Sequence, residues 1–254
     1  MKEEFTINHR NPSSPAIHLA GDEIHLWNAS LVQPAPVIAH FATLLSADEK
    51  TRAERFYFER DRARYIVGRG LLRKILGAYL GLDPAWIELR YGPYGKPALK
   101  VGDLNHTLEF NLAHSADRAL YAFCWNRALG VDLEHVRPME NQDDFAAQIF
   151  AASESALITS LDADQKQQAF FTIWTCKEAF FKASGDGLTK PIADAEITVD
   201  VGGTASLLSI AGDPQQANGW RLETFQPAAS YQAALAFRGE TCKISFQQAE
   251  DYFA

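Results

Sequence analysis

The sequence predicts an α+β protein with helices packed on mainly antiparallel sheet, and two observations predict it. Apolar residues switch repeatedly between helical spacing and strict alternation. Each half then reads as a strand, helices and an antiparallel meander, with a break near Arg137-Pro138.

His25-Leu26-Trp27 reads as the first strand, and Pro34-Ala35-Pro36 breaks it before a helix over 37–45. Ser46 and Glu49 form a capping box that opens a helix to about residue 58. Residues 62–80 carry the longest helical stripe (Tyr65, Ile66, Leu72, Ile75, Leu76 and Tyr79), and Gly81 stands where a C-terminal glycine belongs. A strand over 87–91 runs into the turn Gly92-Pro93-Tyr94-Gly95-Lys96-Pro97. Strands follow at 108–112, 119–125 and 128–134, with Asn126-Arg127 read as a hairpin turn between the last two. The second half has helices at 145–150, 154–161 and 170–184, the last ending at Gly185-Asp186-Gly187. Strands are predicted at 195–199, 205–210, 220–225, 231–237 and 243–246.

The 254 residues are 47% hydrophobic and 22% charged, which suits a globular chain with a substantial core. Met1-Lys2-Glu3-Glu4-Phe5 is acidic where a signal peptide is basic and then apolar, and no apolar run reaches eighteen residues, so no membrane partner is expected. Cys124, Cys176 and Cys242 fit neither a disulfide framework nor a zinc site; a reducing cytoplasm is expected.

The net charge of −8 hides an asymmetry. Residues 50–100 hold twelve Lys and Arg against five acids. An acidic chain is repelled by a long polyanion, so a compact anion suits this segment better than nucleic acid. Most of the twelve are expected on solvated helix faces, with Glu49, Glu54 and Glu59 as ordinary surface pairs.

Gly130-Val131-Asp132-Leu133-Glu134 reads as a strand that projects Asp132 and Glu134 from one side and Val131 and Leu133 from the other. Alone, it reads most simply as an exposed face with two solvated acids. In Trp174-Thr175-Cys176-Lys177-Glu178-Ala179-Phe180-Phe181-Lys182, Trp174, Glu178 and Lys182 share one helical stripe. Apolar residues surround that helix, which predicts burial, and charges on a buried helix need partners. Trp174 is read as core. Two strand carboxylates and one helix carboxylate are the donors that Mg²⁺ takes, with water and phosphate completing its shell.

These two segments, with Tyr94-Gly95-Lys96-Pro97 and Phe110-Asn111-Leu112-Ala113-His114-Ser115 between the basic stretch and the strand, resemble the motifs of the Sfp-type 4′-phosphopantetheinyl transferases. The resemblance covers residues 45–190 and departs at Ala113, where the family usually has Ser. It implies two similar subdomains, 1–135 and 136–254, with the active site at their interface. It implies Mg²⁺ on Asp132, Glu134 and Glu178, and coenzyme A held by Lys50, Arg55, Arg64, Lys96, His114, Lys177 and Lys182. Asp132, Glu178 and Lys182 become the expected catalytic residues, with Glu154 a second candidate base or a simple N-terminal-turn acid. The other histidines, His9, His18, His25, His40, His106 and His135, are read as structural. The implied partner is an apo carrier protein of fatty acid, polyketide or nonribosomal peptide synthesis, met by a monomer. Two other classes fit the same residues: a Mg²⁺-dependent pyrophosphate hydrolase and an idle carrier-binding module.

Overall fold

A computed structural model describes residues 17–100, 107–200 and 204–253. His9, His106 and the acidic N-terminus lie outside the described residues. In chain order the elements are β1 (Glu23–Ser30), α1 (Ala35–Leu44), α2 (Ala47–Ala53), α3 (Glu59–Leu80), β2 (Leu89–Tyr91), β3 (Pro97–Leu99), β4 (Leu108–Ser115), β5 (Arg118–Trp125) and β6 (Leu129–His135). There follow α4 (Gln142–Ile149), α5 (Ala152–Ser160), α6 (Ala163–Ser184), β7 (Ala195–Val199), β8 (Ala205–Ile210), α7 (Pro214–Ala217), β9 (Trp220–Phe225), β10 (Tyr231–Arg238), β11 (Lys243–Gln248) and α8 (Glu250–Phe253).

Four layers result: helix, sheet, sheet, helix. The first sheet has the order β11-β1-β5-β4 and the second β6-β10-β9, each antiparallel except for the parallel pair β1–β11. Alternation decides which side chains fill which layer. Trp27, Tyr121, Phe123 and Phe110 pack under α3 with Ile66, Leu72, Ile75 and Leu76. Ile24, Leu26, Ala113, Leu120, Val131, Leu133, Ala233 and Leu235 fill the space between the sheets. Ala234, Ala236 and Leu222 face α6, where Ile173, Phe180 and Phe181 cover them.

The α+β reading holds, and α3 ends as expected, Gly81 closing it in the left-handed region at φ 66°. Three expectations need correction. The second basic-segment helix, α2, ends at Ala53, not at 58. Asn126 does turn the chain, at φ 50°, but no hairpin forms there: β5 pairs with β1 and β4, and β6 with β10. A turn signal specifies the reversal and not the neighbour. Glu49 is not a surface acid; it is 1% exposed, and its carboxylate holds Arg69 Nε at 3.1 Å and Arg73 Nε at 2.6 Å. The last strand, β11, returns to the first sheet, and Phe253 of α8 enters the core under α3.

Candidate active site

Gly130 sets the geometry. A Cβ there would overlap the backbone of Ala179, Lys182 and Ala183, so the absent side chain lets α6 lie directly on β6. Val131 and Leu133 enter the inter-sheet core, while Asp132 and Glu134 point to the helix side. From Ala169 to Ala183, every α6 residue is buried except Trp174, Glu178 and Lys182. That is the stripe the sequence predicts. Trp174 packs against the second core, its ring parallel to Phe170.

Lys182 Nζ donates to Asp132 Oδ1 at 2.6 Å and to the Val131 carbonyl at 3.2 Å. Asp132 is 6% exposed, so it is no solvated strand acid. Burial pushes its carboxyl up to about 6 despite the Lys182 ammonium. Burial, then the nearby Asp132 and Glu134 charges, raise Glu178 to about 7. Glu134 accepts from Ser115 Oγ at 2.9 Å, and Ser115 Oγ also accepts from the His135 amide. Asn111 Oδ1 accepts from the Val131 amide at 2.8 Å, so β4 is tied to β6 on both sides of Asp132.

Among the described residues, no three His, Cys, Asp or Glu are close enough together to hold a metal ion. The donors nevertheless suit a hard cation. Asp132 Oδ2 is buried without a hydrogen-bond partner, and the charges of Asp132 and Glu134 help raise the proton affinity of Glu178.

Lys182 also lines a cavity of ≈ 580 Å³ that runs towards α3. Its opposite end is basic and aromatic: Arg52, Arg64, Arg69, Tyr65 and Tyr91. Tyr65 Oη and Arg64 Nε are buried there without partners. Arg64, expected at the nucleotide end, lines this cavity but is held by Asp61 and Asp117. Lys96 lines it too, with its ammonium on the carbonyls of Lys182, at 2.6 Å, and Leu129, at 3.2 Å. Burial lowers its pKa. His114 opens into the cavity, and enclosure by protein, then the Lys182 charge, lower its pKa. Ala113 points the other way, into the inter-sheet core.

The other expected residues lie off the cavity. Lys50 and Arg55 are exposed and do not line the cavity. Lys177 is wholly buried on the far face of α6. It pairs with Glu154 at 2.8 Å and donates to the carbonyls of Ile192 and Ala195. Glu154 also accepts from the Ile197 amide at 2.6 Å, which fastens α5 and α6 to β7. Neither lines the cavity. Arg52, Arg69, Tyr65 and Tyr91, which sequence reasoning did not single out, line the cavity.

Comparison with known proteins identifies the family. The family model described as the 4′-phosphopantetheinyl transferase superfamily matches residues 128–236, and that of the 4′-phosphopantetheinyl transferase N-terminal region matches 27–125. The chain is 41% identical over 228 residues to the 4′-phosphopantetheinyl transferase HetI of Nostoc sp., covering 90% of this chain and 93% of that one. It is 28% identical over 167 residues to the 4′-phosphopantetheinyl transferase Sfp of Bacillus subtilis, covering 66% and 72%. Among solved structures it is similar to a holo-(acyl-carrier-protein) synthase from Bacillus anthracis in complex with CoA (3′,5′-ADP), at 18% identity and a TM-score of 0.37, covering 44% of this chain and 96% of that one.

Proposed function

We propose that this chain, which belongs to the 4′-phosphopantetheinyl transferase family, transfers the 4′-phosphopantetheine group of coenzyme A to a serine of apo carrier proteins and releases 3′,5′-ADP. One observation carries the reading. A single cavity joins a basic end, Arg52, Arg64 and Arg69, to Lys182, whose ammonium is seated on Asp132. Coenzyme A has a nucleotide with a 3′-phosphate at one end and the scissile pyrophosphate further along, and the charges are laid out in that order.

The roles follow from chemistry. Residues 1–135 supply the nucleotide end, and 136–254 supply α6. Arg52, with Lys96 and His114, takes phosphate oxygens. The serine hydroxyl attacks the β-phosphate, its oxygen forming the new P–O bond as the bond to the ADP oxygen breaks. Glu178, lifted towards neutrality, accepts the hydroxyl proton. Lys182 offsets the charge on the departing phosphate. Mg²⁺ held by Asp132, Glu134 and Glu178 would supply further charge neutralisation. Among the described residues no helix is long and apolar enough to cross a membrane, and the proposed setting is a cytoplasmic monomer.

Mass spectrometry of an apo carrier protein incubated with the chain, coenzyme A and Mg²⁺ tests this. Phosphopantetheine on the carrier serine is expected. Nucleotide release from coenzyme A without any carrier would indicate a hydrolase instead.

A further inference from the structure

Arg64 lines the basic end of the cavity, yet two acids already hold it. Its Nη1 donates to Asp61 Oδ1 at 3.3 Å and its Nη2 to Asp117 Oδ1. A guanidinium grips phosphate through its fork of N–H groups, and here carboxylates engage both terminal nitrogens of that fork. Asp61 is accounted for without a ligand. It stands in the first turn of α3, where an acid suits the helix dipole, and it also meets Arg60 at 3.5 Å. Asp117 has no such explanation. Arg64 is its one ion-pair partner among the described residues.

Asp117 reaches Arg64 from the turn between β4 and β5. Its backbone is fastened: the carbonyl accepts from the Leu31 amide at 2.7 Å, and the amide donates to Tyr231 Oη at 3.3 Å. Its side chain is 51% exposed. The carboxylate can therefore leave Arg64 by rotating into solvent, with no backbone movement. Arg64 Nε and Tyr65 Oη, next to the pair in the same cavity, are buried without partners. Asp117 leaves them unsatisfied, whereas a phosphate would bring three acceptor oxygens to this spot.

We propose that Asp117 is a specificity-determining residue: its carboxylate is an internal counter-anion that occupies Arg64 until the 3′-phosphate of coenzyme A takes its place. The inference rests on the transferase reading and adds a carboxylate-for-phosphate exchange at the nucleotide end. A ligand without the 3′-phosphate does not displace the carboxylate and gains nothing from Arg64. A ligand with it spends part of its binding energy on the exchange. Affinity is thereby held down, and the returning carboxylate helps 3′,5′-ADP to leave.

The test is calorimetric titration of wild type and Asp117→Asn with coenzyme A, 3′-dephospho-coenzyme A and 3′,5′-ADP. The variant should bind coenzyme A and 3′,5′-ADP about fivefold more tightly, and the dephospho form within about twofold of wild type. Asp117→Glu, which keeps the charge, should show no gain. Adding Arg64→Ala to Asp117→Asn should abolish the gain. Unchanged or weaker coenzyme A binding by Asp117→Asn overturns the proposal; a weaker one means that Asp117 orients Arg64 for the phosphate. Equal tightening of all three ligands also overturns it, because the carboxylate then acts only through its general field. If wild type binds 3′,5′-ADP but transfers nothing to a carrier protein, the transferase reading fails by itself and the titrations still decide the exchange. If neither protein binds coenzyme A or 3′,5′-ADP, both readings fall.

Discussion

Lys182 Nζ lies 2.6 Å from Asp132 Oδ1 and so joins the last turns of α6 to the middle of β6. The pair ties helix to strand, and the same lysine lines the cavity. Lys182→Ala leaves a buried carboxylate without its cation and should cost about 1–3 kcal/mol, less than a fully buried pair because Lys182 keeps some solvent contact. Adding Asp132→Asn should restore much of that stability and none of the activity. Chemical denaturation and single-turnover transfer on the three variants separate the roles; a double variant as unstable as Lys182→Ala would contradict the pairing argument.

Gly130 is required by contact and not by its dihedral angles. Gly130→Ala must push α6 off β6, at about 1–3 kcal/mol for overpacking, and should displace Glu178 and Lys182 from Asp132. Transfer should fall far more than the melting temperature alone accounts for. A folded, fully active alanine variant would show that α6 does not need this approach.

Lys177 and Glu178 are neighbours on α6, and breaking the ion pair of the first should give the opposite phenotype to replacing the second. Glu154→Gln breaks a pair whose members are 1% and 0% exposed, so a loss of about 3–5 kcal/mol is expected. Activity per folded molecule should remain. Glu178→Gln should fold normally and transfer at background rate. Thermal unfolding and turnover, measured together, would refute the division if both variants lost the same property.

The nucleotide end can be checked with coenzyme A and its 3′-dephospho form. Arg52→Ala should lose about 1.5–3 kcal/mol of binding, and Arg55→Ala almost none. Calorimetric titration that finds Arg55 the stronger contributor would move the anion site out of the cavity.

Acidity supplies the fifth expectation. Burial raises both Asp132, to about 6, and Glu178, to about 7. The folded state then binds more protons than the unfolded chain between the ordinary carboxyl values and these raised ones, so stability falls as pH rises through that window. In EDTA the melting temperature should drop between about pH 5 and about pH 8, and Mg²⁺ should raise it at the higher pH only. Equal Mg²⁺ effects at both values would remove these carboxylates from the metal assignment.

How much of this was legible in the sequence depends on range. Asp132 and Glu134 on one face, and Trp174, Glu178 and Lys182 on one stripe, follow from local periodicity. Lys177 is next to Glu178 in sequence but a hundred degrees round the helix, and its partner is set by β7, which periodicity does not reveal. The same limit separates Arg52 from Arg55: both are basic residues in one segment, and only the packing of α2 on α3 puts the first at the cavity. Glu49 looked like a surface acid because its partners, Arg69 and Arg73, lie on another helix.

The parallel pairing of β11 with β1 joins Trp27 to Gln247 and brings Phe253 under α3. A ribosome therefore delivers one border of the first sheet more than two hundred residues after its neighbour. The amino-terminal half must wait, incomplete, while the second sheet and α6 emerge. Its nascent form should engage holdase chaperones for most of translation, and the two halves should mature together or not at all.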